Sequence, residues 1–200
     1  GVGTGFSFFL MGWVYSYTSW QNAFLLAAIF SLIAALLVIL AVRPAQPAQA
    51  KDGAKRHPLD FRPAFKNRAA LGYIFAYGAH NFELFAYRGW LFAYLIFAAS
   101  TYQITINAAS LSTLISVFAI IGMSASIIGA SFCLRYPRAR TISRFGALSA
   151  LTAIFFGLSG FIDFYLILLL ALLFNITIML DSASLTAGTV SAASEHDRGA

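Results

Sequence analysis

Charged residues are scarce in this chain, and their scarcity excludes most classes of soluble protein. Only 10% of the 200 residues are Asp, Glu, Lys or Arg, whereas 60% are hydrophobic. Soluble domains carry about 25% charged residues. A soluble protein of this composition would leave large apolar patches in contact with water. The composition therefore predicts an all-α fold, a polytopic bundle of transmembrane helices.

Cysteine and catalytic motifs are scarce as well. The single Cys133 permits no internal disulfide and matches no metal-ligand spacing. The sequence contains no hydrolase, phosphate-loop or metal-binding motif, and the glycines at its start precede no strand–helix unit that binds dinucleotides. We therefore expect a protein that is not an enzyme, with no catalytic residue, no cofactor and no bound metal ion.

Long apolar stretches are what the chain does contain. A helix needs about 20 apolar residues to cross a bilayer, and six stretches reach or approach this length. They run from about 1 to 17, 22 to 42, 69 to 99, 107 to 134, 141 to 160 and 163 to 192. Because the chain begins at Gly1 inside an apolar run, we expect a truncated first helix and an internal fragment of a longer membrane protein.

The positive charge is concentrated in alternate gaps between these stretches. Of 13 Lys and Arg residues, seven lie between Arg43 and Arg68 and four between Arg135 and Arg144, and Arg198 lies near the end. The other gaps carry none, which is the positive-inside pattern. Residues 43–68, 135–140 and 195–200 are therefore predicted to be cytoplasmic in a multi-pass protein of the inner membrane. The net charge of +6 then requires no nucleic-acid partner; the bilayer is the expected partner.

One segment interrupts the apolar composition and divides the chain. Residues 43–68 contain four of the five prolines and seven of the 13 Lys and Arg residues, a composition typical of a disordered linker. We therefore expect three parts, at 1–42, 43–68 and 69–200, with the middle one a cytoplasmic connection.

The third stretch carries the ionisable groups with the clearest functional interest. A charged side chain in hydrocarbon costs roughly 2.5 to 3.5 kcal/mol and therefore normally faces a bundle interior or a cavity. Glu83 lies near the middle of this stretch, with His80 three residues before it and Tyr87 four residues after it, so the three are neighbours on a helix. Tyr77 extends the same polar face, which suits a substrate cavity. A structural hydrogen-bond network between helices is the alternative.

Arg88 and Asp181 are the other two candidates within the apolar stretches. Arg88 lies about 140° around the helix from Glu83, so it is expected to bind an anionic substrate group, to pair with another helix or to extend toward the outer surface. Asp181 lies on the cytoplasmic side of the sixth stretch. It is expected either to couple transport to an ion or proton, or to form a structural hydrogen bond.

Four features of the chain occur together in one family of membrane proteins. They are the basic central linker, the Trp20–Phe24 start of the second stretch, the basic loop from Gly129 to Arg140, and the acidic-Arg-Gly-x-Ala turn at 195–200. The second is similar to a Trp-Arg-x-x-Phe motif, and the third to a Gly-x-x-x-Asp-Arg-x-Gly-Arg-Arg motif. Taken together they resemble the major facilitator superfamily of secondary transporters.

The resemblance implies a fold and a function. It maps residues 1–42 to the last two helices of an N-terminal six-helix half and 69–200 to the first four of a C-terminal half, about six of twelve spans. It implies a midplane site and alternating access, with His80 and Glu83 on a cavity-lining helix and Arg135, Arg138 and Arg140 in a gating loop.

The expected activity is therefore secondary active transport of a small solute, coupled to protons or another ion, by a protein that is monomeric at full length. Two alternatives remain open from the residues alone. One is a membrane enzyme or lipid-handling protein that uses His80 and Glu83, and the other is a non-transporting accessory subunit. The acid of the gating motif and the proline of the antiporter motif are absent, so antiport is not implied.

Overall fold

A computed structural model describes residues 2–42, 65–161 and 163–192, which form seven α-helices and one short 3₁₀ turn. The helices are α1 (Val2–Tyr17), α2 (Trp20–Ala41), α3 (Arg68–Thr101), α4 (Ala108–Arg135), α5 (Arg138–Leu158), α6 (Phe164–Met179) and α7 (Ser182–Ala192), and the 3₁₀ turn spans Ser159–Phe161. Five segments are long and apolar enough to cross a membrane when Phe164–Ala192 is counted as one. The prediction of an all-α, multi-pass bundle is confirmed.

Four of the described helices begin at a residue whose side chain accepts hydrogen bonds from free backbone N–H groups of the first turn. Ser19, Asn67, Asn107 and Asp163 cap α2, α3, α4 and α6 in this way. Asn67 also donates from Nδ2 to the carbonyl oxygen of Ala192 at 2.7 Å, which ties the start of α3 to the end of α7.

The first two helices lie to one side of the others. Helix α1 has 16 residues, about 24 Å at 1.5 Å per residue, and packs along α4. A close approach at Gly12, against the side chain of Ser112, makes this packing possible, since a Cβ there would overlap the serine. Helix α2 has no buried residue, and its exposed apolar surface is typical of a helix that faces lipid.

The remaining five helices enclose the core. Leu95 of α3, Leu111 of α4 and Ile167 of α6 are fully buried at its centre. A smaller cluster near the end of α4 contains Cys133 and Leu185, so the single cysteine is a packing residue in this bundle.

The sixth stretch differs from the single helix predicted over 163–192. Its hydrogen-bond pattern is interrupted at Leu180 and Asp181, between α6 and α7. The N–H of Leu180 donates to the carbonyl of Thr177, three residues back, although Leu180 keeps helical backbone angles. The interruption coincides with a buried acid that contacts another helix. Most of the predicted linker at 43–68, and all of 195–200, lie outside the described residues.

Candidate functional site

The most buried ionisable contact joins α3 to the interruption between α6 and α7. Nδ1 of His80 lies 2.8 Å from Oδ1 of Asp181, and both side chains are largely buried, with exposed fractions of 3% and 13%. The two atoms are not aligned for a hydrogen bond, and neither has another hydrogen-bond partner in the described structure. The contact therefore consists of the close approach of an imidazole and a carboxyl group in a buried region.

Glu83 extends this contact toward α5. The hydroxyl of Ser149 donates to Oε1 of Glu83 at 2.7 Å, and Ser149 is almost fully buried. We call Glu83, His80 and Asp181 together the acid–His cluster. Its contacts join α3 to α5 and to the α6–α7 interruption.

The charge balance of the acid–His cluster determines what it can bind. Within the described residues, no Lys or Arg forms an ion pair with either carboxyl group, and His80 is the one basic side chain in contact with one of them. Two carboxyl groups and one imidazole therefore lie where an unpaired charge costs several kcal/mol.

Arg88 and Tyr87 are oriented toward α6. Nη2 of Arg88 lies 3.9 Å from Sδ of Met179, so the guanidinium points into the bundle instead of extending to the outer surface. The hydroxyl of Tyr87 donates a hydrogen bond to the carbonyl of Ala171 at 2.9 Å. This buried hydrogen bond connects α3 to α6.

The polar residues predicted to share one face of α3 thus contact several different neighbours. His80 faces Asp181, Tyr87 faces α6 and Glu83 faces α5, while the half-exposed Tyr77 stacks on His80 with ring centroids 6.1 Å apart. The sequence predicted that these side chains share a region of the helix. It did not predict that each has a different partner.

Helix α6 forms two hydrogen bonds to neighbouring helices that the sequence did not predict. Thr152 of α5 and Thr177 of α6 share a hydrogen bond of 2.7 Å, and Nδ2 of Asn175 donates to the carbonyl of Phe118 in α4 at 2.6 Å. The one signal in the sequence was the presence of Ser149 and Thr152, two polar residues three positions apart in the apolar part of α5, which therefore share one face of that helix.

A cavity of about 820 Å³ lies between α3, α5 and α6. Glu83 and Tyr87 contribute to its wall, together with aromatic residues such as Trp90, Tyr94 and Phe156. It is open on one side, between α3 and α5.

The predicted gating residues lie at the short connection between α4 and α5. Arg135 ends α4 and Arg138 begins α5, and Nη1 of Arg138 donates to Oγ of Ser191 at 3.3 Å. Arg135 and Arg140 are exposed. Their role in gating remains a prediction. No three His, Cys, Asp or Glu side chains of the described ranges converge to hold a metal ion.

Comparison with known proteins gives one match. The family model described as Major Facilitator Superfamily matches residues 1–200, the whole chain. No curated protein matches the sequence, and no solved structure does.

Proposed function

The chain belongs to the Major Facilitator Superfamily and is a membrane transporter of that family, and we propose that it carries a small solute by secondary active transport, with alternating access driven by protons. The solute, the coupling ion and the location in the inner membrane are parts of this proposal. The proposal of alternating access is based on membership of the family, and the choice of the proton as coupling ion is based on the acid–His cluster.

The observation that supports proton coupling is the contact between His80 and Asp181. Both groups are buried, one lies on α3 and the other at the α6–α7 interruption, and their 2.8 Å separation is favourable only when they carry opposite charges. Transfer of a proton to or from this pair changes the attraction between α3 and the α6–α7 interruption. Proton binding therefore changes helix packing in the half of the molecule that contains the cluster.

Glu83 provides the second proton site. Its carboxylate accepts a hydrogen bond from the hydroxyl of Ser149 on α5. Arg88 and Tyr77 are the candidates for substrate contacts, because the guanidinium of Arg88 points into the bundle without a carboxylate partner in the described structure. An anionic group on the solute fits that cation.

The arrangement favours transport over an enzyme that uses His80 and Glu83 together. Such an enzyme would direct both side chains at one reacting atom. Here His80 contacts Asp181 and Glu83 contacts Ser149, on different helices. Glu83 also lies near the middle of the 34-residue α3, far from either membrane surface.

The experiment is electrical recording from proteoliposomes on a solid support, with sugars, organic anions and aromatic solutes presented under an imposed pH gradient. We expect a current with at least one solute, and we expect that current to follow the pH gradient. Glu83→Gln and Asp181→Asn should abolish it while expression and membrane insertion remain normal, because each variant removes a proton site and keeps the shape of the side chain.

Asp163→Asn is the matched control. Asp163 is exposed and caps α6 through its side-chain oxygen, a role that asparagine also fills. The current of the Asp163→Asn variant should therefore equal that of the unaltered protein. Normal currents in both Glu83→Gln and Asp181→Asn would refute the coupling role, as would a transport current that ignores the pH gradient.

A further inference from the structure

The first two turns of α5 carry two exposed cations on one face of the helix. Arg140 and Arg144 are four residues apart, so they lie one above the other, and both are exposed. Farther along the helix the same face continues with Leu151, Phe155 and Leu158, which are exposed as well. We call Arg140 and Arg144 the basic face of α5. It forms the charged end of an otherwise apolar exposed surface.

The length of α5 places Arg144 below the membrane surface. Helix α5 ends at Leu158, 14 residues after Arg144, which is about 21 Å at 1.5 Å per residue. The three residues of the 3₁₀ turn add about 6 Å, and the total is still shorter than the roughly 30 Å hydrocarbon core of a bilayer. The Cα atom of Arg144 therefore lies at the edge of that core. Because side chains on a helix tilt toward its N-terminus, both arginines extend toward the headgroups of the leaflet in which α5 begins.

The helices packed against α5 offer these arginines no acidic partner. Helices α4, α6 and α7 contact α5, and none of the three contains Asp or Glu. Arg138 is held by the protein, since its Nη1 donates to a serine of α7. In the part of the chain that the structure describes, Arg140 and Arg144 form neither an ion pair nor a side-chain hydrogen bond. An anion from outside the described residues is therefore needed to balance their charge.

We propose that the basic face of α5 binds an anionic phospholipid of the leaflet in which α5 begins. Each guanidinium can donate two parallel hydrogen bonds to a phosphate group, and the phosphate offsets the cost of a cation at the edge of hydrocarbon. The acyl chains lie along Leu151 and Phe155. A zwitterionic headgroup carries an ammonium that repels the two arginines, so a headgroup with a net negative charge is preferred.

Aromatic side chains at the end of α4 lie beside the start of α5 and support the same depth. Phe132 packs edge to face on Phe145, the residue after Arg144, with ring centroids 6.4 Å apart. Tyr136 stacks on Phe132 at 6.2 Å and is 57% exposed. Tyrosine is enriched at the level of the lipid headgroups because its ring is apolar and its hydroxyl is polar. The connection from α4 to α5 is thus placed at the depth of the phosphate groups.

The test is fluorescence quenching in the intact protein, reconstituted in vesicles of phosphatidylcholine and phosphatidylglycerol. Cys133→Ser gives a cysteine-free background, and Ala147→Cys places a fluorescent label at an exposed position of α5, about one turn beyond Arg144. In parallel samples, a nitroxide group is attached to the acyl chains of one lipid or of the other. Each nitroxide lipid quenches the label according to how often it lies beside it, so the ratio of the two quenching constants measures the local lipid preference.

We expect phosphatidylglycerol to be enriched beside the label at least about fivefold over phosphatidylcholine, the factor that one basic residue contributes near a membrane surface. Arg140→Gln/Arg144→Gln should remove most of this preference. Lys66→Gln/Arg68→Gln is the matched control, because it removes the same charge from exposed positions at the start of α3, and it should leave the preference unchanged. Equal losses in the two double variants would show that overall positive charge attracts the lipid. Equal quenching by the two lipids in the unaltered protein would show no preference, and either result overturns the proposal.

Discussion

At the residue scale, the hydroxyl of Ser149 determines how Glu83 is held. Glu83 is conspicuous in the sequence because acids are rare in apolar stretches, but its partner is one serine among many and lies 66 residues away. Ser149 is also one of the most completely buried side chains in the bundle. A short polar side chain at this position therefore links the acid–His cluster to α5.

A double-mutant cycle on Ser149 and Glu83 measures this link. We compare the unfolding free energies of Ser149→Ala, Glu83→Ala and the double variant in bilayers. The expected coupling is about 0.6 kcal/mol and at most about 1.7, the range for interhelical hydrogen bonds in membranes. Ser143→Ala, an exposed serine on the same helix, should show no coupling to Glu83. Strictly additive effects at 149 and 83 would mean that this hydrogen bond contributes nothing to stability.

At the scale of elements, α4 closely approaches α6 and the α6–α7 interruption at two glycines. Gly129 of α4 faces the carbonyl of Leu180 at the α6–α7 interruption, and Gly122 faces the side chain of Asn175. Glycine is required at 129 because a Cβ would overlap the Leu180 backbone, which has no rotamer by which to move aside. The interruption is thus held from two sides, by Gly129 of α4 and by His80 of α3.

Substitution at Gly129 should therefore destabilise the bundle. Gly129→Ala is expected to lower the unfolding free energy by about 1 to 3 kcal/mol, the usual cost of overpacking, and thermal unfolding in detergent measures it. Gly89→Ala on α3 is the control, since a Cβ there meets nothing within 4 Å; it should not destabilise the protein, because alanine favours a helix over glycine by about 0.5 to 1 kcal/mol. Equal stability of the two variants would show that α4 and α6 are less closely packed at Gly129.

At the scale of the whole molecule, the distribution of charge predicts the orientation of every helix. If the basic segments lie in the cytoplasm as predicted, α3 begins on the inside and ends on the outside. Helix α1 contacts α4 across the central linker, so the parts before and after the linker are joined within the membrane.

Cysteine labelling tests this orientation. In the Cys133→Ser background, Gln103→Cys is exposed in the α3–α4 connection and Arg140→Cys is exposed near the start of α5. A membrane-impermeant maleimide should label position 103 from outside intact cells and position 140 in inside-out vesicles alone. The reverse pattern would show that the positive-inside rule fails for this chain.

Most of the fold could be predicted from local properties of the sequence. Five helices long enough to cross a membrane lie within a few residues of the stretches read from composition alone, because a bilayer imposes both a length and an apolar surface on each span. The prediction for the sixth stretch was incomplete, because it gave one helix where the structure has α6 and α7. The interruption at Leu180 depends on Gly129 and His80, which belong to other helices, and no pattern around position 180 encodes them.

The sequence by itself determined which side chains are costly in a membrane, namely His80, Glu83, Arg88 and Asp181, because that cost follows from the residue type and its depth. It also determined the family, to which all 200 residues match. Only the tertiary structure decided that His80 meets Asp181, that Glu83 meets Ser149, and that a cavity lies between α3, α5 and α6. Those outcomes depend on how helices far apart in sequence rotate against one another, and that rotation follows from side-chain packing across the whole bundle.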